Sequence, residues 1–174
     1  MAEALAAGSP RAGGLAAPAA ARLIALLLPA GLLGGALGSQ YLGGLHPCEM
    51  CYWQRWPHAA AILLAALSFT QPAVSGRSRS LTLLAALAIA VSGAIGVYHA
   101  GVEAKIFEGF TTCTAIGKGL STAELLKQIS TAPLVRCDEV QFRFLGISMA
   151  GWNAILSLGG AALILILSLR QKRA

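Results

Sequence analysis

Charge is what this chain has least of: 11% of its 174 residues are Asp, Glu, Lys or Arg, against roughly 25% in soluble domains. A soluble domain of this size covers itself with polar side chains, so this scarcity, beside 56% hydrophobic residues, excludes water as the main solvent. Acidic residues are scarcer than basic ones, 7 against 13, which leaves a net charge of +6. Nucleic acid is nonetheless excluded as a partner, because the basic residues do not gather into a patch interleaved with aromatics. Cysteine is also rare. The four present, an even number, suit two disulfides in an oxidising compartment.

What is plentiful is uninterrupted apolar sequence. Residues 1–21, rich in Ala, Gly and Pro, cannot bury a core and read as a disordered cytoplasmic tail. From 22 to 43 no charge follows Arg22, and at 1.5 Å per residue such a run crosses a hydrocarbon core of roughly 30 Å. It exceeds the apolar stretch of a cleaved signal peptide. Further spans are expected at about 48–70, 81–101 and 149–169, with outer loops over 44–57 and 102–148 and a basic tail at 171–174. The expected fold is therefore all-α: an antiparallel four-helix transmembrane bundle in a lipid bilayer. Gly34, Gly35, Gly38, Gly159 and Gly160 are expected to permit close helix packing.

Arg11, Arg22, Arg77, Arg79, Arg170, Lys172 and Arg173 cluster on one side, which the positive-inside rule makes cytoplasmic. Both termini then lie inside. Cys48, Cys51, Cys113 and Cys137 lie outside, where thiols oxidise.

Cys48 and Cys51 form a CxxC motif after Pro47, a residue favoured at the first position of a helix. On a first turn, exposed N–H groups and the helix dipole favour the thiolate, the reactive form. Zinc would need two more ligands, and Cys113 with Cys137 lack the second short spacing of an all-cysteine site, although His46 remains a possible donor. Arg55 follows at helical spacing near membrane depth, suited to hold a quinone carbonyl or to snorkel to headgroups. Tyr52, Trp53 and Trp56 fit an interfacial belt for at least two of the three. Pro57 should kink the helix or delay its start. His99, at the outer end of the third span, suits a quinone oxygen or its protons, or plain interfacial hydrogen bonding; His46 and His58 carry less signal.

Between Cys113 and Cys137, Ser121 and Glu124 spell a capping box ahead of Leu125, Leu126 and Ile129. A short amphipathic helix on the membrane surface is expected. The second cysteine pair suits either exchange with a soluble partner or a structural staple.

The segments PCEMCYWQR at 47–55, YHAGVE at 98–103, TTC at 111–113, RCDE at 136–139 and FLGISMAGWN at 144–153 resemble the bacterial DsbB family, disulfide bond formation protein B. The likeness runs over about residues 22–170. It implies a four-helix inner-membrane protein that takes electrons from a periplasmic thioredoxin-like oxidase of the DsbA type and delivers them to ubiquinone or menaquinone. It also implies disulfides Cys48–Cys51 and Cys113–Cys137. By the same resemblance Cys113 receives the donor's attack, Cys137 connects the two pairs through Cys48, Cys51 faces the quinone, and Arg55 and His99 contact it. A quinone reductase like vitamin K epoxide reductase would carry its CxxC on a later helix. A non-enzymatic membrane scaffold with two structural disulfides is the reading from another class, and the CxxC beside an intramembrane arginine argues against it.

Overall fold

The computed structural model describes residues 13–109, 121–131 and 135–170. Five helices and one hairpin make it up: α1 (Gly13–Tyr41), α2 (Glu49–Ser68), α3 (Gly76–Glu103), α4 (Thr122–Thr131), β1 (Arg143–Phe144), β2 (Ile147–Ser148) and α5 (Met149–Arg170). Three of them, Ala16–Tyr41 within α1, then α3 and α5, are long and apolar enough to cross a membrane. α2 is not among the three, because its first turns carry Glu49, Gln54, Arg55 and His58. Large apolar side chains such as Leu27, Leu63, Leu87 and Leu169 are more than half exposed around the flanks, a surface that water would reject.

α1, α2, α3 and α5 pack side by side in a ring, α1 on α2, α2 on α3, α3 on α5 and α5 on α1. Their directions alternate. Near the start of α1, the Arg22 guanidinium lies 4.2 Å over the Phe69 ring just past the end of α2, while Arg55 near the start of α2 donates to Gln40 near the end of α1. The Ser78 hydroxyl of α3 donates to the Ser68 carbonyl, and the other end of that helix meets the start of α2. The shared core is built from small residues, Ala21, Ala25, Ala61, Ala65, Ala85, Ala86 and Ala161, around Ile89 and Ile164. Such side chains let backbones approach closely where lipid tails supply no hydrophobic drive.

Several expectations are corrected. Within the described residues the first helix already runs from Gly13, ahead of the expected Arg22, because an alanine-rich run has high intrinsic helix propensity. Gly34, Gly35, Gly38 and Gly159 make no close contact, and of the five glycines expected at helix contacts only Gly160 meets a neighbour, the Leu28 side chain. The close approach is at Gly93 and Gly96 of α3. A Cβ on Gly96 would sit 3.0 Å from the Ala150 carbonyl oxygen of α5, and one on Gly93 would sit 2.9 Å from Leu158. Pro47 lies before the N-cap instead of at the first helical position, and the cap is Cys48 itself. Pro57 lies inside α2 without delaying its start. The fold is also not purely helical: Leu145 and Gly146, both at positive φ, make the two-residue turn between β1 and β2. The capping box is present, with Ser121 N donating to Glu124 Oε2 at 3.2 Å and Glu124 N donating to Ser121 Oγ at 3.4 Å.

Candidate functional site

The N-terminus of α2 carries the chemistry. Cys48, as N-cap, accepts from the Cys51 backbone N–H at 3.4 Å, so an orphan donor of the first turn points at its sulfur. The two sulfurs lie 3.0 Å apart, both as thiols. Cys137, fully buried, packs in the same cluster as Cys48, Met50 and Val102. Cys113 lies outside the described residues, as does most of the segment joining it to α4.

Cys137 is held from the polar side. Asp138 accepts from Arg136 Nε and Nη2, each at 2.9 Å, and from Lys105 Nζ at 2.6 Å. Those two cations, Arg136 foremost, hold the Asp138 carboxyl well below the usual carboxylate range. Lys105 is positioned by the turn that ends α3, where it takes a positive φ of 60° and Phe107 folds back over Gly101 to stack on Tyr98.

Beside the first pair opens a cavity of about 330 Å3, within the range of small-ligand sites. Cys48, Cys51, Arg55 and His99 all line it, so the candidate residues of the first pair and its neighbours do meet on one wall. The facing wall is α1, where Gly31 and Gly35 leave the space empty that side chains would fill. The Arg55 guanidinium is held against α1. Nη1 donates to Gln40 Oε1 at 2.5 Å, Nη2 donates to the Ala36 carbonyl at 3.1 Å, and the guanidinium lies 5.1 Å over Tyr52. Its Nε–H is buried with no partner among the described residues. Tyr52, Trp53 and Trp56 stay off the cavity wall, and Trp56 is 74% exposed, as a lipid-facing belt requires.

His99 is engaged on both ring nitrogens. Nδ1 accepts from Gln54 Nε2 at 2.8 Å, while Nε2 lies 3.5 Å from Cys48 Sγ and 3.8 Å from Glu103 Oε1. Cys48, Cys51 and His99 bring three potential metal donors within 4.8 Å. The imidazole is wrongly set for a metal, however, since a ligating histidine normally donates its second nitrogen and this one accepts there.

Sequence reasoning passed over Gln54, Glu103, Trp152 and Asn153, which also border the cavity. The signal for Asn153 and Gln54 was a polar side chain inside an apolar helix, which is costly unless used.

A multi-pass membrane protein with a CxxC at a helix N-cap, a third sulfur packed against it and a largely apolar cavity alongside is a membrane thiol protein. The family described as Disulfide bond formation protein DsbB matches residues 18–167, and the chain belongs to that family. It is 27% identical over 156 residues to Disulfide bond formation protein B of Xanthomonas oryzae, covering 87% of this chain and 90% of that one. It is 27% identical over 135 residues to the protein of the same name from Marinobacter nauticus, covering 76% and 80%. An uncharacterised protein of Rickettsia prowazekii is 25% identical over 123 residues, covering 69% and 70%. No solved structure matches at a significant level. The chain is accordingly a membrane protein of disulfide bond formation.

Proposed function

We propose that this protein reoxidises a periplasmic thioredoxin-like dithiol oxidase and passes two electrons through its two cysteine pairs to ubiquinone or menaquinone. The observation that carries the reading is the succession Cys137, Cys48, Cys51, the last two on the wall of a cavity that Arg55 also lines. In this reading α2 is the fourth membrane span, both termini are cytoplasmic, α4 lies on the outer membrane surface and the cysteines face the periplasm.

Each transfer is an in-line attack of a thiolate on a disulfide sulfur. The donor's thiolate attacks Cys113 of the Cys113–Cys137 disulfide, and Cys137 leaves as thiolate. Cys137 then attacks Cys48 of the Cys48–Cys51 disulfide, and Cys51 leaves as thiolate beside Arg55. The donor's second thiolate closes the donor disulfide and releases Cys113, which attacks Cys137 to re-form the second pair and frees Cys48 as thiolate. The quinone, when bound, accepts the two electrons. The residues suit such a ring: the Arg55 guanidinium lines the cavity as a hydrogen-bond donor for a carbonyl, and Leu32, Leu33, Phe142 and Trp152 supply apolar walls. His99 borders the same cavity.

The test is to purify the chain in detergent, extract it and identify copurifying quinone by mass. A quinone retained by the native protein and lost in Arg55→Ala supports the reading; none in either, with no quinone reduction on adding thiols, overturns it. Orientation is tested separately by a membrane-impermeant thiol reagent on reduced cells with an opened outer membrane, which should label these cysteines.

A further inference from the structure

Five side chains run unbroken through the apolar interior between α2, α3 and α5, namely His58, Asn153, Gln54, His99 and Cys48. The links measure 2.8, 2.8, 2.8 and 3.5 Å in that order. Polar groups at this depth are expensive, and this chain ends on a sulfur of the CxxC pair.

Its direction follows from backbone carbonyls, which only accept. Asn153 Nδ2 lies 3.2 Å from the Ser92 carbonyl, so that atom is the NH2 group, and Oδ1 accepts from His58 Nε2 and Ser157 Oγ. Gln54 Nε2 lies 3.1 Å from the Met50 carbonyl, which fixes the second amide: Oε1 accepts from Asn153 and Nε2 donates to His99 Nδ1. A neutral imidazole whose Nδ1 accepts carries its proton on Nε2. That nitrogen lies 3.5 Å from the Cys48 sulfur, and its proton is shared with the backbone of Cys137, which also hydrogen-bonds the ring.

We propose that Gln54 and Asn153 are positioning residues for the first cysteine pair, locking His99 as an Nε2–H donor that stabilises negative charge on Cys48. The proposal rests on the reading of Cys48 and Cys51 as a redox pair. The ionisable groups around Cys48 are Cys51 of α2, Cys137 of the loop before β1 and, behind His99, Glu103 of α3. Reduction of the Cys48–Cys51 disulfide takes up two electrons and one proton, breaks the S–S bond and leaves one thiol and one thiolate; in the relay the dithiol of the second pair supplies the electrons. A hydrogen bond to a thiolate is stronger than one to a neutral sulfur. The lock therefore favours the reduced pair and raises its reduction potential, making it a stronger acceptor of electrons from Cys137.

The experiment uses the full-length chain with Cys113→Ala and Cys137→Ala, freed of quinone and equilibrated in dithiothreitol redox buffers, the reduced fraction being read by alkylation. Gln54→Met and Asn153→Leu, both close in size to the native residues, should each shift the equilibrium about tenfold toward the disulfide, or about 30 mV for two electrons. With Cys48 as the sole cysteine, the pH at which it alkylates should rise by about one unit in the same variants. Unchanged potential and alkylation pH in variants of native helicity overturn the proposal. Should both variants unfold, nitrogen NMR of the His99 ring in the unsubstituted chain decides it: a proton on Nε2 supports the lock and one on Nδ1 refutes it. A first pair that never exchanges with dithiothreitol would instead sink the redox reading on which the proposal rests.

Discussion

Arg55 and Gln40 tie the start of α2 to the end of α1 through a 2.5 Å hydrogen bond from Nη1 to Oε1. A guanidinium held on both Nη atoms by one helix is fixed in direction, although these bonds use only two of its five N–H groups. Its planar fork allows this, and a lysine ammonium cannot reproduce it.

Arg55→Ala should therefore weaken quinone use about ten- to a hundredfold, the size of a lost hydrogen bond to a charged group, while donor exchange at the second pair is unchanged. Arg55→Lys should recover only part. Gln40→Ala, which keeps the charge but releases Nη1, should fall between the native chain and Arg55→Ala. Steady-state kinetics with varied quinone checks all three, and an unchanged KM for quinone in Arg55→Ala would remove the arginine from the site.

Gly35 borders the cavity and Gly34 does not, although neither has a neighbour within 4 Å of a built Cβ. Gly35→Leu should fill the cavity and abolish quinone retention without unfolding the helices, because the added atoms enter open space. Gly34→Leu should be tolerated, since its side chain would meet lipid. Gly96→Leu must instead separate α3 from α5 and should cost about 2 kcal/mol or more. Thermal unfolding in detergent and bound-quinone content separate the three outcomes.

These glycines also mark where sequence reading stopped. Apolar runs at known rise per residue locate three long apolar helices, Ala16–Tyr41, Gly76–Glu103 and Met149–Arg170, because bilayer thickness is a one-dimensional constraint. Helix contacts depend on which face of each helix turns inward, and no local pattern reports that, so Gly93 and Gly96 were passed over in favour of glycines that face open space. The first pair, Arg55 and the capping box are local and were legible from spacing alone. Gln54, His58 and Asn153 come from two helices and are ordinary one at a time. Their link to His99 exists only after α2, α3 and α5 are packed.

Asp138 secures the segment carrying Cys137, and its charge should be visible in the pH dependence of that segment. A carboxyl whose folded-state pKa is depressed contributes stability that is complete above its unfolded value of about 3.9 and is lost as the pH falls toward the folded one. Hydrogen exchange at Cys137 and Asp138 should therefore quicken below about pH 4 in the native chain. Asp138→Asn should show the quicker exchange at neutral pH with little further change in acid. Arg136 and Lys105 are more than half exposed, so the effect on transfer from Cys137 to Cys48 should be a few-fold at most. Equal exchange in both proteins at pH 7 would mean that the ion pairs do not hold the loop.

The four cysteines can be told apart by which adduct each substitution traps, since a mixed disulfide persists when the thiol that would resolve it is missing. Cys137 is fully buried against Cys48, which shields its sulfur from a soluble donor and leaves Cys113 as the point of attack. Cys137→Ser should therefore accumulate donor bonded to Cys113. In Cys113→Ser that adduct should vanish, the donor should remain reduced in cells, and the Cys48–Cys51 disulfide should persist because nothing upstream delivers electrons to it. Cys51→Ser should still accept the donor at the Cys113–Cys137 disulfide, but Cys48 then carries no disulfide for Cys137 to attack, so transfer stops at the second pair. Its quinone reduction should fall to background. A structural staple behaves otherwise: Cys137→Ser would give no adduct on non-reducing gels, and cells carrying Cys113→Ser would keep the donor oxidised. That pair of results would return the second cysteine pair to a purely structural role.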